Sequence, residues 1–283
     1  DKARLKSETY TFRQKELSAD TAFFAIKSYD SIGDAFVANK FRAYVNFEKN
    51  NANFAANKGA AIKFPANEYK STHTKFDWNI VTGAMKLTAP EAQSEITRIN
   101  TIEKTLLANP EVDKTIGIPK FISLKPGQDS LQFFSGSADF DLNKNIITAH
   151  EVKFIRSGDA TIFSPQGDIT ITQKIESIPV KNATLITYND QITHEIVNAD
   201  IAISSRKAFT GKGFTYYSDQ KTKANKLSLS KISSDQYTGL TTGTGSVTDT
   251  SAFRLDENFD YYGAVKLNAE VKHHGFDGFF KIN

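Results

Sequence analysis

The sequence has no cysteine and only one methionine and one tryptophan among its 283 residues. The absence of cysteine excludes disulfide bonds, thiolate metal sites and a cysteine nucleophile. It does not fix the compartment, because cysteine-free chains occur on both sides of a membrane. A chain of this length buries roughly three-quarters of its unfolded surface, so it needs no covalent cross-links to fold.

Long apolar runs and runs of basic residues are also missing. No segment approaches the roughly 18 consecutive apolar residues of a membrane helix, so we expect no membrane span. The net charge is only +3, from 35 basic and 32 acidic side chains that are interspersed. Nucleic-acid binding favours a basic stripe or a recognisable reader motif, so we expect no nucleic-acid partner.

The chain begins with Asp1 and shows no signal peptide. We interpret it as a fragment of a longer product, whose other modules would be its partners.

Phenylalanine is abundant, with 22 residues, and tyrosine adds 10. Together with Ile, Val and Thr, these residues favour the pleated, half-buried surface of a β-sheet. Most segments alternate apolar and polar residues, as in Ile169 to Thr172, which is typical of a strand with one buried face. We predict a mostly β protein built from antiparallel β-sandwich or jellyroll-like repeated modules.

A pattern of alternating strand, polar turn and second strand recurs along the chain. Its copies align on Phe47, Trp78, Leu142, Ile203 and Leu267, which are 31, 64, 61 and 64 residues apart. Such a recurrence marks stacked supersecondary units. We predict two β modules, residues 1–110 and 131–283, with a single continuous domain as the alternative.

Three stretches depart from this pattern. Thr88 to Glu91 resembles a capping box, helical spacing follows, and Asn109-Pro110 stops it. We therefore predict one helix inserted near residues 89–108. Residues 13–24 are a weaker helical candidate. Residues 238–251, rich in Thr, Gly and Ser, are predicted to be a flexible loop.

The five histidines do not form an obvious site. A zinc or acid–base role needs a convergent set of side chains. The adjacent pair His273-His274 would point to opposite faces of a strand, so both could not easily bind one metal. His73, His150 and His194 stand apart from each other. We predict surface or turn histidines, and no metal site or cofactor.

Asp139 and Asp141 lie two apart on a predicted strand and face the same way. Paired carboxylates can divide acid and base work. However, Asp or Asn recurs at this place of the repeat, which favours a structural role. Asp141 to Asn145 matches only the first half of a calcium loop. No catalytic motif emerges, so we predict no catalytic residues and no enzymatic activity.

The phenylalanines allow two interpretations. A phenylalanine-rich core is the simpler one. The functional alternative is an apolar groove for an acyl chain or another lipid, because ligand sites are concave and mostly apolar. The candidate ligand-binding residues are Phe133, Phe163, Phe209, Phe214 and Phe279.

The segments Ala138 to Ala149 and Ala199 to Gly213 each join Ala-Asp, an alternating strand and a polar turn. They resemble the repeats of the OstA-like lipopolysaccharide-transport family, and the resemblance extends over residues 35–88 and 131–283. It implies an open β-jellyroll whose apolar interior carries lipid tails in the periplasm, in association with the outer membrane. The chain also resembles segments of long extracytoplasmic proteins of Bacteroidetes.

These observations lead to three hypotheses about function. The first is a non-enzymatic extracytoplasmic scaffold or binding module that handles a lipid or lipopolysaccharide in an apolar groove. The second is a cell-surface adhesin or carbohydrate-binding module, which requires an exposed aromatic platform from Trp78, Tyr216, Tyr217, Tyr261 and Tyr262. The third is a hydrolase or lyase on a β scaffold, which requires Asp139, Asp141 and His150 to converge.

Overall fold

The structure is a computed structural model that describes residues 2–29, 32–189, 192–217, 225–248, 253–256 and 258–282. Strands hold 60% of the described residues and helices hold 11%, and the strands pair in an antiparallel manner. The predicted mostly β, antiparallel fold with an inserted helical segment is therefore confirmed.

In chain order, the strands are β1 (Ala3–Ser7), β2 (Thr11–Arg13), β3 (Glu16–Lys27), β4 (Asp34–Asn46), β5 (Asn51–Phe64), β6 (Tyr69–Ser71), β7 (Lys75–Asn79), β8 (Ala84–Thr88), β9 (Lys120–Ser123), β10 (Gln132–Phe134), β11 (Ser137–Asp141), β12 (Ile146–His150), β13 (Phe154–Ser157), β14 (Ala160–Phe163), β15 (Ile169–Ile171), β16 (Ile178–Asn189), β17 (Ile192–Ile203), β18 (Phe209–Tyr217), β19 (Asn225–Ser234), β20 (Thr241–Val247), β21 (Arg254–Asp256), β22 (Phe259–Asn268) and β23 (Gly275–Ile282).

The helical segments are short. The α-helices are α1 (Gln93–Thr101) and α2 (Lys104–Ala108), and the 3-10 helices are Pro65–Asn67, Pro90–Ala92, Pro110–Thr115 and Pro126–Gln128. Each 3-10 helix begins with proline, whose fixed φ and missing N–H suit a first turn. The helix predicted at 89–108 is present but broken into two. Glu103 has an extended backbone and is the N-cap residue of the separate helix α2.

The chain forms two compact units that interleave along the sequence. The first unit comprises residues 1–101, 116–153 and 167–176. The second comprises residues 102–115, 154–166 and 177–283. The two modules predicted from the repeat, residues 1–110 and 131–283, are contiguous segments, and that division stays a prediction.

In the first unit, β1 and β2 flank β3, which pairs with β4, and β4 pairs with β5. Beyond β5 the sheet divides, because β5 pairs with β7 at one end and with β6 at the other. One branch continues through β8, β11, β12 and β15, and the other through β9 and β10.

In the second unit, β13 and β14 lead into an antiparallel meander of β16, β17, β18, β19, β20 and β22. Strand β23 pairs with β22 opposite β20 and β21. All five copies of the sequence repeat are hairpins, namely β4–β5, β7–β8, β11–β12, β17–β18 and β22–β23. The polar stretch of each copy is the hairpin turn.

Each unit carries a row of irregularities across neighbouring long strands. In the first unit, the pairing of β3 with β4 shifts between Ala19 and Ala22, and β4 contains Lys40 at a φ of 60°. In the second unit, the corresponding row includes Asn182 and Asn198, with φ values of 54° and 48°. Aligned bulges of this kind bend a sheet sharply, so each sheet can fold over its own apolar side chains.

Aromatic rings fill the core of the first unit. The ring of Phe76 stacks on Phe54 at 4.2 Å and contacts Phe36 at 4.9 Å and Phe41 at 5.2 Å. Phe36 also contacts Phe64 at 5.4 Å. All five are buried. Much of the phenylalanine content is therefore accounted for by this core.

A half-buried arginine fixes the helical segment of the second unit. The guanidinium of Arg156, on β13, donates to both carboxylate oxygens of Asp113 at 2.8–2.9 Å. It also donates to the carbonyls of Leu107, Ala108 and Asn109 at 2.7–3.1 Å. These carbonyls lie at the end of α2, where no N–H group of the helix is left to bond them. One side chain thus satisfies the helix terminus.

Two predictions about local structure were wrong. Residues 16–24 form part of β3 rather than a helix, because pairing with β1, β2 and β4 overrides weak local preference. Residues 241–247 form β20 rather than a loop, while residues 249–251 of that prediction lie outside the described residues. A Cβ at Gly245 would lie 1.9 Å from the carbonyl oxygen of Ser228, so glycine permits this close pairing.

Candidate functional site

The five phenylalanines predicted to bind a ligand differ in burial. Phe133, in the first unit, and Phe163 and Phe209, in the second, are buried within their units. Phe214 is half-buried. Phe279, on β23, is 81% exposed. Of these side chains, Phe279 offers most of its surface to a ligand without rearrangement, and ligand binding by the set stays a prediction.

An apolar surface runs from the core of the second unit along the hairpin β22–β23. The register places Tyr261 opposite Phe280 and Phe259 opposite Ile282, all on the core-facing side. Tyr261 is fully buried in the core cluster, whereas Phe259, Phe280 and Ile282 are 39%, 57% and 75% exposed. We call Phe259, Phe280 and Ile282 the apolar ramp; along β23, exposure rises from Phe280 to Ile282.

Paired glycines hold the base of the apolar ramp. Gly263 lies opposite Gly278, and the hydroxyl of Tyr261 occupies the space where their Cβ atoms would be. This hydroxyl donates to the carbonyl of Ala264 at 2.5 Å and accepts from the backbone N–H of Asp277 at 2.9 Å. The tyrosine therefore ties the two strands together and fixes where Phe280 packs, with ring centroids 5.6 Å apart.

The other face of the hairpin and the outer edge of β23 are also exposed. Phe279 pairs with Tyr262 on the opposite face of the hairpin. Among the described residues, β23 pairs with β22 alone, so its other edge has no strand partner. The hairpin therefore exposes apolar side chains on both faces and one strand edge.

The aromatic residues proposed as a carbohydrate platform are divided between the two units and differ in burial. In the second unit, Tyr261 is buried and the ring of Tyr217 packs on Phe253 and Phe276, at 5.8 Å and 5.5 Å. Tyr216 is exposed, as alternation along β18 requires. Trp78, in the first unit, is half-buried. The burial of Tyr261 weakens the platform hypothesis.

Two of the three residues proposed as catalytic do meet, in the first unit. His150 lies between two carboxylates, with Nε2 3.0 Å from Asp139 and Nδ1 3.0 Å from Asp168. Partial burial disfavours the cation, but the two carboxylates outweigh it and raise the pKa of His150. Asp141 instead accepts from the backbone N–H groups of its own hairpin turn, at Asn143 and Lys144. The arrangement ties β11, β12 and the start of β15 together.

A cavity of about 360 Å³ lies in the second unit, beside two histidines. His194, on β17, is buried, and its Nε2 lies 2.9 Å from the carbonyl oxygen of Val271. The ring of His274 stands 5.8 Å from that of His194, at 75°. Burial lowers the pKa of both imidazoles. Both are therefore neutral near pH 7.

Sequence reasoning missed this pair. The prediction assumed that the strand continues through His273 and His274, which would place them on opposite faces. The strand ends at Asn268, and the histidines lie in the turn before β23. The turn brings His274 to His194, 80 residues earlier in the chain, and no sequence signal marks that contact.

Comparisons with protein-family models and with curated proteins give no match to this chain. Within the described residues, no helix is long and apolar enough to cross a membrane.

Proposed function

We propose that the protein is a non-enzymatic, extracytoplasmic binding module that holds the acyl chain of a lipid or lipopolysaccharide on the apolar ramp. The continuity of the ramp with the core carries this proposal. An acyl chain laid on Phe280 and Ile282 would extend the packing already made by Tyr261 and Phe276, whose rings are 5.1 Å apart. The extracytoplasmic location rests on the resemblance of the repeats to the OstA-like family.

The chemistry of the ramp favours an apolar occupant. Its three side chains carry no polar atoms, so they offer no hydrogen bond to a sugar. Burying one methylene contributes about 0.8 kcal/mol. About ten buried methylenes would give a gross gain near 8 kcal/mol, which corresponds to a micromolar dissociation constant before the costs of ordering.

The test is binding of a fluorescent fatty acid and of lipopolysaccharide to the full chain, with the double variant Phe280→Ser/Ile282→Ser. Both side chains are exposed, so the fold should tolerate the change. We expect affinity for the probe to fall at least tenfold. The matched control is Phe12→Ser, another exposed phenylalanine, in the first unit, which should bind within twofold of the wild type.

Two outcomes would contradict the proposal. One is the absence of saturable binding of either probe to the wild-type chain. The other is a wild-type dimer in sedimentation velocity that the double variant dissociates, without any binding of the probes. That result would assign the ramp and the free edge of β23 to contact with a second copy.

A further inference from the structure

We propose that His194 and His274 form a binding site for a transition-metal ion of the zinc class at the cavity of the second unit. The site is distinct from the apolar ramp and does not depend on lipid binding. Three features support it: the hydrogen bond of His194, the enclosure of His274 and the separation of the two rings.

His194 is arranged as metal-binding imidazoles usually are. Its Nε2 faces the carbonyl of Val271, and a carbonyl only accepts, so Nε2 carries the proton. In the neutral ring, Nδ1 then carries a free lone pair. A ligating histidine almost always donates its other N–H to a carbonyl or carboxylate, which fixes the ring and its tautomer. The backbone of the β22–β23 turn provides this support.

His274 supplies the second nitrogen. Its Nε2 is enclosed and has no hydrogen-bond partner among the described residues. An enclosed polar atom without a partner costs free energy, and native structures rarely leave one unexplained. A bound ion would satisfy it.

The distance between the rings suits one ion. With a metal–nitrogen distance of about 2.0 Å, each ring centroid would lie roughly 3.2 Å from the ion. A tetrahedral angle then gives a centroid separation of about 5.2 Å, and wider angles give more. The observed separation is 5.8 Å, which lies within the range that one shared ion requires. Imidazole ligands favour zinc, copper and nickel over calcium or magnesium.

The remaining coordination positions would be filled by water. Among the described residues, no group of three or more His, Asp or Glu side chains is placed to hold a metal ion. The cavity, about 360 Å³, has room for several waters, each of which takes about 30 Å³ in the liquid. Lys272 and Glu195, one charge of each sign, also line it. We therefore expect an open site of moderate affinity.

The test is calorimetric titration of the full chain with Zn²⁺ at pH 7.5. We expect one saturable site, and at least a tenfold loss of affinity in His274→Ala and in His194→Gln. The control is His150→Gln, which removes an imidazole that does not line this cavity and should bind zinc within twofold of the wild type. Circular dichroism checks that each variant is folded.

A second readout locates the ion. In NMR spectra, zinc should shift the ring resonances of His194 and His274 and leave those of His150 in place. The proposal is overturned if the wild type shows no saturable zinc binding, or if His274→Ala and His194→Gln bind as the wild type does. The ramp variant Phe280→Ser/Ile282→Ser should bind zinc normally, so failure of the lipid proposal leaves this one intact.

Discussion

Replacing Arg156 with methionine should destabilise the second unit by about 3 kcal/mol. The side chain is 17% exposed and pairs with Asp113, which is 26% exposed. Removing one partner of a fully buried pair costs about 3–5 kcal/mol, because the other charge is left uncompensated, and this pair is half-buried. Since Asp113 can regain some water, the lower end applies. The three carbonyls at the end of α2 would also lose their donor.

The matched variants separate charge from geometry. Arg156→Lys keeps the charge but loses the planar fork that reaches several acceptors at once, so we expect about half of the loss. Arg156→Met combined with Asp113→Asn should recover about 1 kcal/mol, because no carboxylate is left unpaired.

The assay is limited trypsin digestion, with cleavage after Lys104 and Lys114 mapped by mass spectrometry. When opening is fast relative to cleavage, the cleavage rate follows the population of the open segment. A loss of about 3 kcal/mol should then speed cleavage about 100-fold. Urea unfolding followed by circular dichroism gives the matching free energy. A methionine variant within about 0.5 kcal/mol of the wild type, which is the range of ordinary surface changes, would contradict this prediction.

Two further predictions concern the first unit. Phe76→Ala should lower the free energy of unfolding by about 3–5 kcal/mol, because it empties the centre of the aromatic core, and urea unfolding followed by Trp78 fluorescence would measure it. An unchanged midpoint would show that the rings do not depend on Phe76. His73 is buried beside Ser71, and burial lowers its pKa from 6.5 to about 4. The unfolded state therefore binds more protons between those values, so stability should fall as pH drops from 6.5 towards 4, by up to about 3 kcal/mol. His73→Gln should remove that part of the decline, and an unchanged pH dependence in this variant would contradict the assignment.

The mostly β fold and most of its hairpins follow from local patterns in the sequence. Alternation of apolar and polar residues forces one face of each strand inward, so the antiparallel β fold could be predicted. The five repeated segments are hairpins because their turn residues tolerate the reversal. The capping box at Thr88 and the stop at Asn109-Pro110 located the helical segment, although not its break at Glu103.

The residues that pack against each face of a strand depend on the tertiary structure. Phe209 and Phe280 both lie on strands, but only the pairing partners leave the first buried and the second 57% exposed. The threonines and glycines of β20 predicted a loop. Gly245 is instead required by the close approach of β19, a contact that the local sequence does not show. The contact between His194 and His274 likewise depends on where a turn folds. Such contacts join residues far apart in the chain, and local periodicity carries no information about them.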